Sequence, residues 1–312
     1  MADIISRFPD SIICYILSFL PTKQVVATSV LCKRWNLLWR SVISLDFDHQ
    51  DRTGSFEDEL DDCSNFLYSM YSLLLLRDKE KPLHRLRLRC CSTYNHYSIE
   101  IWIKAAMRSS RLEHLDLNVY KNFVVPSVVF SCKTLVVLKL ANLVLKDVSF
   151  ADFPLLKILH LNSICFSGCE DLLKQFLSGS PNLEDLEIKN LDANQAEKFN
   201  GLPKLVRANI DAHLVPLENV KNVQILVTDG VICVKFVSHL LSISKGKNGI
   251  SNVLIFFFYL LQIHLQDLVF DFLNLVKLEL TSLQSSKPCL QVLEVLKHCP
   301  KLQTLFITIF QV

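Results

Sequence analysis

A chain of 312 residues that is half apolar, 21% charged and holds only 7 glycines describes a folded, core-rich protein, and excludes collagen-like, low-complexity and disordered classes. Lys and Arg number 33 against 31 Asp and Glu, and the net charge of +2 creates no broad field for nucleic acid or anionic lipid. The 11 cysteines are odd in number and carry no CxxC spacing, so they read as reduced thiols in small apolar positions, as expected of a cytoplasmic or nuclear protein.

The chain opens with a short apolar segment, Ile12, Ile13, Ile16, Leu17, Phe19 and Leu20, spaced at helical period between Pro9 and Pro21. Pro9 suits a first helical turn, Asp10 complements the positive end of the helix, and Pro21 ends it, leaving Thr22 to cap the next. A second helix carries Val25, Val26, Val30 and Cys32, and a third places Trp35, Leu38 and Trp39 on one face. Asp3 and Asp10 flank the first segment and no small-residue cleavage site follows, which argues against a signal peptide. Three helices this short seldom bury enough apolar surface to offset their own ordering, so the unit is expected to complete its core against another surface.

Phe8-Pro9-Asp10-Ser11-Ile12, Ile16 to Lys23, Val26 to Leu31, and Lys33-Arg34-Trp35 with Leu38 to Ser41 together resemble an F-box. The wording is similar to that of the plant group that joins an F-box to leucine-rich repeats. Phe8 stands where Leu is usual before the first proline, and Cys32 where Ser is common. The resemblance implies a domain over 1–41 that docks on a Skp-type adaptor and through it a cullin. It places the adaptor contacts, or their immediate support, at Pro9, Ile12, Ile16, Leu17, Leu20, Pro21, Val26, Val30 and Trp35.

After Arg40, Val42 to Asp48 alternates as a first strand and opens the second domain, 42–312. His49 to Asp62 is polar, and its crowd of Glu57, Asp58, Glu59, Asp61 and Asp62 lacks a calcium-loop pattern and reads as a solvated loop entering a helix. Leu60 to Leu76 reads as that helix, with Phe66, Leu67, Tyr68, Met70, Tyr71 and Leu73 to Leu76 buried.

The pattern L-x-x-L-x-L then recurs. It occurs at Leu83, Leu86, Leu88; Leu112, Leu115, Leu117; Leu135, Leu138, Leu140; Leu156, Leu159, Leu161; and Leu183, Leu186, Ile188. It weakens at Leu205, Ala208, Ile210 and returns at Leu275, Leu278, Leu280 and Leu302, Leu305, Ile307. Spacings of about 21 to 29 residues among the first six are those of leucine-rich repeats, each too small to bury its own face and therefore stacked into a solenoid. The fold class expected is α/β: a short three-helix F-box followed by a solenoid with a parallel sheet on its concave face. Tyr97 to Arg108 and Glu170 to Leu177 have helical spacing and would lie on the outer side. Residues 221–272 do not hold the template beyond a candidate strand at Val223 to Val227, and the apolar end, Ile307 to Val312, reads as a shortened product or a frayed edge. Plant proteins of the resembling group often continue into a further C-terminal FBD domain, which this chain is expected to lack. The longest apolar run, Val253 to Leu261, is about half a membrane span, so a soluble protein is expected.

No nucleophile elbow, P-loop, dinucleotide fingerprint or metalloprotease helix is present, and Cys165 with Cys169 lacks a second ligand pair. No catalytic residue, metal or cofactor is therefore assigned. The positions between the repeat leucines form the candidate recognition face. They offer His84, Arg85, Arg87 and Arg89 at one end, then Glu113, His114, Asp116 and Asn118, and then Glu184, Asp185, Glu187 and Lys189. This basic end and these acidic zones suit a protein target of matching charge pattern, with Arg85, Arg87, Arg89, Glu113, Asp116, Glu184, Asp185 and Glu187 as candidate contacts. The resemblance implies a non-catalytic substrate-recognition subunit of a Skp-cullin-F-box ubiquitin ligase. A leucine-rich-repeat scaffold, and a truncated form that holds adaptor without substrate, are the other readings.

Overall fold

The structure, a computed structural model, describes residues 5–49, 56–90, 96–109, 111–120, 122–146, 151–167, 172–191, 201–211, 214–229, 271–281 and 296–308. Contacts divide the chain into two units, Met1–Ser180 and Pro181–Val312.

The first unit begins with a helical module. Helix α1, Asp10–Leu17, follows Pro9 in extended conformation (φ −55°, ψ 150°), and the Pro9 carbonyl accepts the amides of Ile12 and Ile13 at 3.0 and 3.1 Å. Helix α2, Thr22–Ala27, starts in the same way after Pro21. Each proline thus sits just outside its helix, where its missing N–H costs nothing. Two 3-10 segments, Thr28–Val30 and Trp35–Ser41, complete the module. Ile13, Cys14, Leu17, Val25, Trp35 and Leu38 form its core. Thr22 does not cap α2. Its buried hydroxyl instead accepts the Asp46 amide at 2.7 Å, because that strand amide would otherwise be an orphan on a sheet edge.

Strands β1, Ser44–His49, β2, Arg85–Cys90, β3, His114–Asn118, β4, Val137–Lys146, and β5, Ile158–Ser167, form a parallel sheet in sequence order. Leu45, Leu86, Leu115, Leu138 and Leu159 pair in one row, and Phe47, Leu88, Leu117, Leu140 and Leu161 in the next. Both rows are buried. Val42, Leu45 and Phe47 therefore constitute one more repeat at the start, in which valine and phenylalanine replace leucine. Helices α3, Phe56–Leu76, α4, His96–Met107, and α5, Leu172–Ser178, connect strands and close the core. Trp102 of α4 meets Phe66 and Tyr71 of α3 edge-on, and Phe176 of α5 packs on Phe130 and Phe153.

Helix α3 starts at Phe56, earlier than expected, so the backbone carrying Glu57 to Asp62 is helical rather than loop. Acidic residues in a first turn complement the helix dipole, which lets the helix extend back through them. Its burial is also narrower than expected: Met70 and Leu73 are buried, whereas Tyr68, Leu75 and Leu76 are exposed. A helix packed on one side can cover only one stripe. The Arg77 guanidinium then donates to the carbonyls of Val42, Asp78, Lys81 and Pro82 at 2.8 to 3.1 Å, tying the end of α3 to the entry of β1. Burial pulls its pKa down from the ordinary arginine value.

Two residues after Leu140 and Leu161, the last core position of each repeat, the chain turns a left-handed corner at Asn142 and Ser163, with φ of 55° and 53°. Asparagine tolerates this region better than other side chains with a Cβ. Asn142 also donates from Nδ2 to Oδ1 of Asn118 on the neighbouring strand at 2.9 Å.

In the second unit β6, Asp185–Lys189, β7, Arg207–Ile210, β8, Ile225–Asp229, β9, Lys277–Thr281, and β10, Thr304–Ile307, pair in parallel. Leu186, Ala208, Leu226, Leu278 and Leu305 share one row. Asn190, at φ 52°, repeats the left-handed corner after β6. Strand β8 supplies the repeat that the leucine pattern misses, with Val223, Leu226 and a buried Thr228 in the three core positions. It pairs directly with β9, so residues 230–270 fall between two adjacent strands. Ser242 to Asn252, Val253 to Leu261 and Ile309 to Val312 lie outside the described residues.

Candidate functional site

Two surfaces stand out: one on the helical module and one on the open face of the sheet.

Helix α1 carries two apolar stripes. Ile13, Cys14 and Leu17 point into the module core, while Ile12, Tyr15, Ile16 and, one turn on, Phe19 and Leu20 face solvent. Phe19 is 71% exposed and meets Tyr15 edge-on at 5.1 Å. Phe8, Val30, Leu31 and Leu37 add further exposed apolar surface to the module. A helix apolar all round is normally buried on all sides, and this one is buried on one.

Of the residues assigned to adaptor contact or its support, Pro9, Ile12, Ile16, Leu20, Pro21 and Val30 are exposed and Val26 is half-buried, whereas Leu17 and Trp35 lie in the core. Leu17 and Trp35 therefore hold the surface up from beneath. Phe8, Tyr15, Phe19, Leu31 and Leu37 are exposed as well and lie outside the set assigned to adaptor contact, although Phe19 belongs to the apolar face read at helical period. The signal for the α1 residues was present in the sequence: apolar side chains at 12, 15, 16 and 19 make a second helical stripe beside 13 and 17.

The open face of the first unit has three rows set by the strand register. The first runs Ser44, Arg85, His114, Val137, Ile158; the second Asp46, Arg87, Asp116, Lys139, His160; the third Asp48, Arg89, Asn118, Ala141, Asn162. The basic end expected from Arg85, Arg87 and Arg89 is largely neutralised. Arg87 lies 3.1 Å from Asp46, 3.5 Å from Asp48 and 3.8 Å from Asp116, and Arg89 lies 3.9 Å from Asp48. The acids on β1 are sequence-distant, and only the register brings them opposite the arginines. At the edge of the face Glu113 approaches His84 at 3.3 Å.

Arg85 differs from its neighbours. Its side chain is exposed, and among the described residues neither Arg85 nor Lys139 has a carboxylate within ion-pair distance. Between them His114 is held below the ordinary histidine pKa, first by burial and then by Arg85, with His84 and Lys139 adding to the effect and Glu113 opposing it. On the second unit Glu187 pairs with Lys189 at 3.3 Å and Lys277 with Glu279 at 3.3 Å. Asp185 and Glu187 lie on β6 and Glu184 immediately precedes it.

Residues 5–47 match the F-box domain, and residues 99–197 match the family described as "FBD-associated F-box protein At5g56370, LRR repeats". The chain carries an F-box followed by leucine-rich repeats. It is similar to the F-box/LRR-repeat protein At4g14096 of Arabidopsis thaliana, 38% identical over 191 residues that make up 61% of this chain and 40% of the relative. It is also similar to the FBD-associated F-box protein At5g56370 of the same plant, 38% identical over 215 residues, or 66% of this chain and 48% of the relative. The F-box/FBD/LRR-repeat protein At4g26340, also of Arabidopsis thaliana, is 35% identical over 61% of this chain and 44% of its own length. The chain spans between 40% and 50% of the length of the curated relatives At4g14096 and At4g14103 that it matches. In these terms the exposed α1 stripe belongs to the F-box, and His114 and Lys139 to the matched repeats, with Arg85 on the strand that pairs with that of His114. Among the described residues no helix is long and apolar enough to cross a membrane.

Proposed function

We propose that this chain is the substrate-recognition subunit of a Skp-cullin-F-box ubiquitin ligase, with the F-box docking on a Skp-type adaptor and the repeat face holding a protein target. The observation that carries this reading is the second apolar stripe, Ile12 and Ile16 of α1 continued by Phe19 and Leu20 just past its end, exposed beside a helix face that already fills a core. Such a surface gains from burial against an apolar groove of a partner.

The F-box is joined to the repeats by more than a linker. Thr22 of α2 accepts the Asp46 amide of β1 at 2.7 Å. A module seated on the edge of the sheet holds the repeat face in a fixed direction from the adaptor, which is what a proximity mechanism asks of a receptor. The chain itself supplies no covalent chemistry in this reading, and it works in the cytoplasm or nucleus, where adaptor and cullin are found.

Co-purification with a Skp-type adaptor tests the proposal. The Ile16→Asp and Phe19→Asp double variant alters exposed positions only, so it is expected to keep its circular dichroism spectrum and melting point and to lose the adaptor. Recovery of adaptor equal to wild type would overturn the reading. Leu17→Asp is unsuitable for this purpose, because Leu17 is 2% exposed and a carboxylate buried there is expected to destabilise the module itself.

A further inference from the structure

We infer that Arg85, His114 and Lys139, with Val137 and Ile158 beside them, form the acceptor for a single Asp or Glu side chain of the target, flanked by an aliphatic residue. This rests on the reading of the repeats as a target-holding face and names the chemistry they select.

The argument begins with charge that is already spent. Arg87 is enclosed by Asp46, Asp48 and Asp116, and Arg89 by Asp48. Arg87 also donates to Asp46 at 3.1 Å, so the charge of both arginines is balanced within the sheet. Arg85 and Lys139 are not so balanced, and they stand on opposite sides of His114: Arg85 pairs with His114 across β2 and β3, and Lys139 lies on β4 one row further along. An approaching carboxylate meets two cations that have no ion-pair partner among the described residues, and an imidazole nitrogen. A charge-assisted contact to a guanidinium is among the stronger polar contacts available on a half-exposed face.

The neighbouring carboxylates set how much negative charge the group accepts. Glu113 adjoins His114 in sequence and acts on its pKa, and Asp116 stands opposite Lys139 in the strand register, beyond ion-pair distance. Two anions at the rim oppose a dianion more than a monoanion, which favours a carboxylate over a phosphorylated side chain. In the same row, Val137 and Ile158 are half-buried and carry no charge. Adjacent strands lie roughly 4.8 Å apart, so a target segment crossing the strands would place a residue one or two positions from its acid over this apolar pair.

An array of synthetic nonapeptides, degenerate except for one fixed central residue, tests this with the full chain as probe. The fixed residue is varied among Asp, Glu, Asn, Gln, phosphoserine and Lys. The wild type is expected to select Asp or Glu, with Val, Leu or Ile enriched within two positions. The Arg85→Gln and Lys139→Gln double variant is expected to lose that signal at least about tenfold. Lys133→Gln, which alters a distant surface pair with Asp152, is expected to keep it. Absence of acidic selection, its survival in the double variant, or preference for phosphoserine over Glu would each overturn the inference. Adaptor recovery, measured in parallel on the same double variant, separates the two proposals: adaptor bound without acidic selection sinks this one and leaves the receptor reading standing.

Discussion

Arg34 reaches back to Asp10, with Nη2 2.6 Å and Nε 2.9 Å from the same carboxylate oxygen, and Nη2 also donates to the carbonyl of Phe8. The arginine that precedes Trp35 thus closes the start of α1 onto the last turn of the module. Both side chains are partly exposed, at 38% and 63%, so solvent screens the pair. Arg34→Ala is expected to lower unfolding free energy by about 0.5–1 kcal/mol, with the Arg34–Asp10 coupling shrinking as salt rises. A double-mutant cycle with Asp10→Asn at low and high ionic strength measures it.

The two stripes of α1 predict opposite responses to truncation. Leu17→Ala empties a core site and is expected to cost about 2–5 kcal/mol. Phe19→Ala removes a larger side chain that is 71% exposed, and is expected to change stability by less than about 0.5 kcal/mol. Urea unfolding of both variants decides it. Equal losses would mean that Phe19 is covered in the free chain.

These contrasts mark where the sequence is readable. The repeat leucines were legible because the same two-residue alternation recurs, and each recurrence confirms the phase of the others. Val42 to Asp48 and Val223 to Val227 were legible as strands but not as repeats, because substitution at two of three core positions, Val42 with Phe47 and Val223 with Thr228, erases the leucine pattern while leaving the pairing intact. The α1 core stripe and the exposed stripe were merged into one wide face, since periodicity gives spacing and not the side on which a partner lies. The fate of Arg87 was illegible for a different reason. Its partners Asp46, Asp48 and Asp116 come from two other strands, and only the parallel register sets them opposite it.

Gly179 permits a close backbone approach. The Phe153 amide donates to its carbonyl at 2.9 Å, and an added Cβ would overlap the carbonyl oxygen of Ala151. The obstacle is backbone, which cannot rotate away as a side-chain tip can. Gly179→Ala is expected to destabilise the first unit by about 1–3 kcal/mol, although alanine is the better residue in a helix interior. Thermal unfolding checks this, and a neutral result would show that the 151–153 segment gives way freely.

The left-handed corner at Ser163 is a site where the sequence works against its backbone. Asn142 occupies the equivalent corner one repeat earlier with a side chain suited to it, and serine gains there only a 3.2 Å contact to Asn162. Ser163→Asn is expected to raise stability by several tenths of a kcal/mol, roughly the relief of a non-glycine residue in this region. Paired denaturant melts of the variant and wild type measure the gain; a loss would show that the Asn162 contact outweighs the backbone term.

The depressed pKa of His114 makes stability depend on pH in a stated direction. Burial lowers it first, then Arg85, with Glu113 the group that opposes them. Above about pH 6.5 the imidazole is neutral in both folded and unfolded chains and contributes no difference. As pH falls below that value the unfolded chain takes up the proton first, so stability declines until the folded pKa is passed. Wild type is therefore expected to lose more melting temperature than His114→Gln between pH 7 and pH 5, with the two curves running parallel above pH 7. Arg85→Gln removes a positive neighbour and is expected to raise the His114 midpoint, read by NMR titration of the imidazole. A carboxylate seated between Arg85 and Lys139 would raise that midpoint in the wild type as well. Titration with and without an array-selected peptide then reports occupancy at His114 itself, independently of any adaptor.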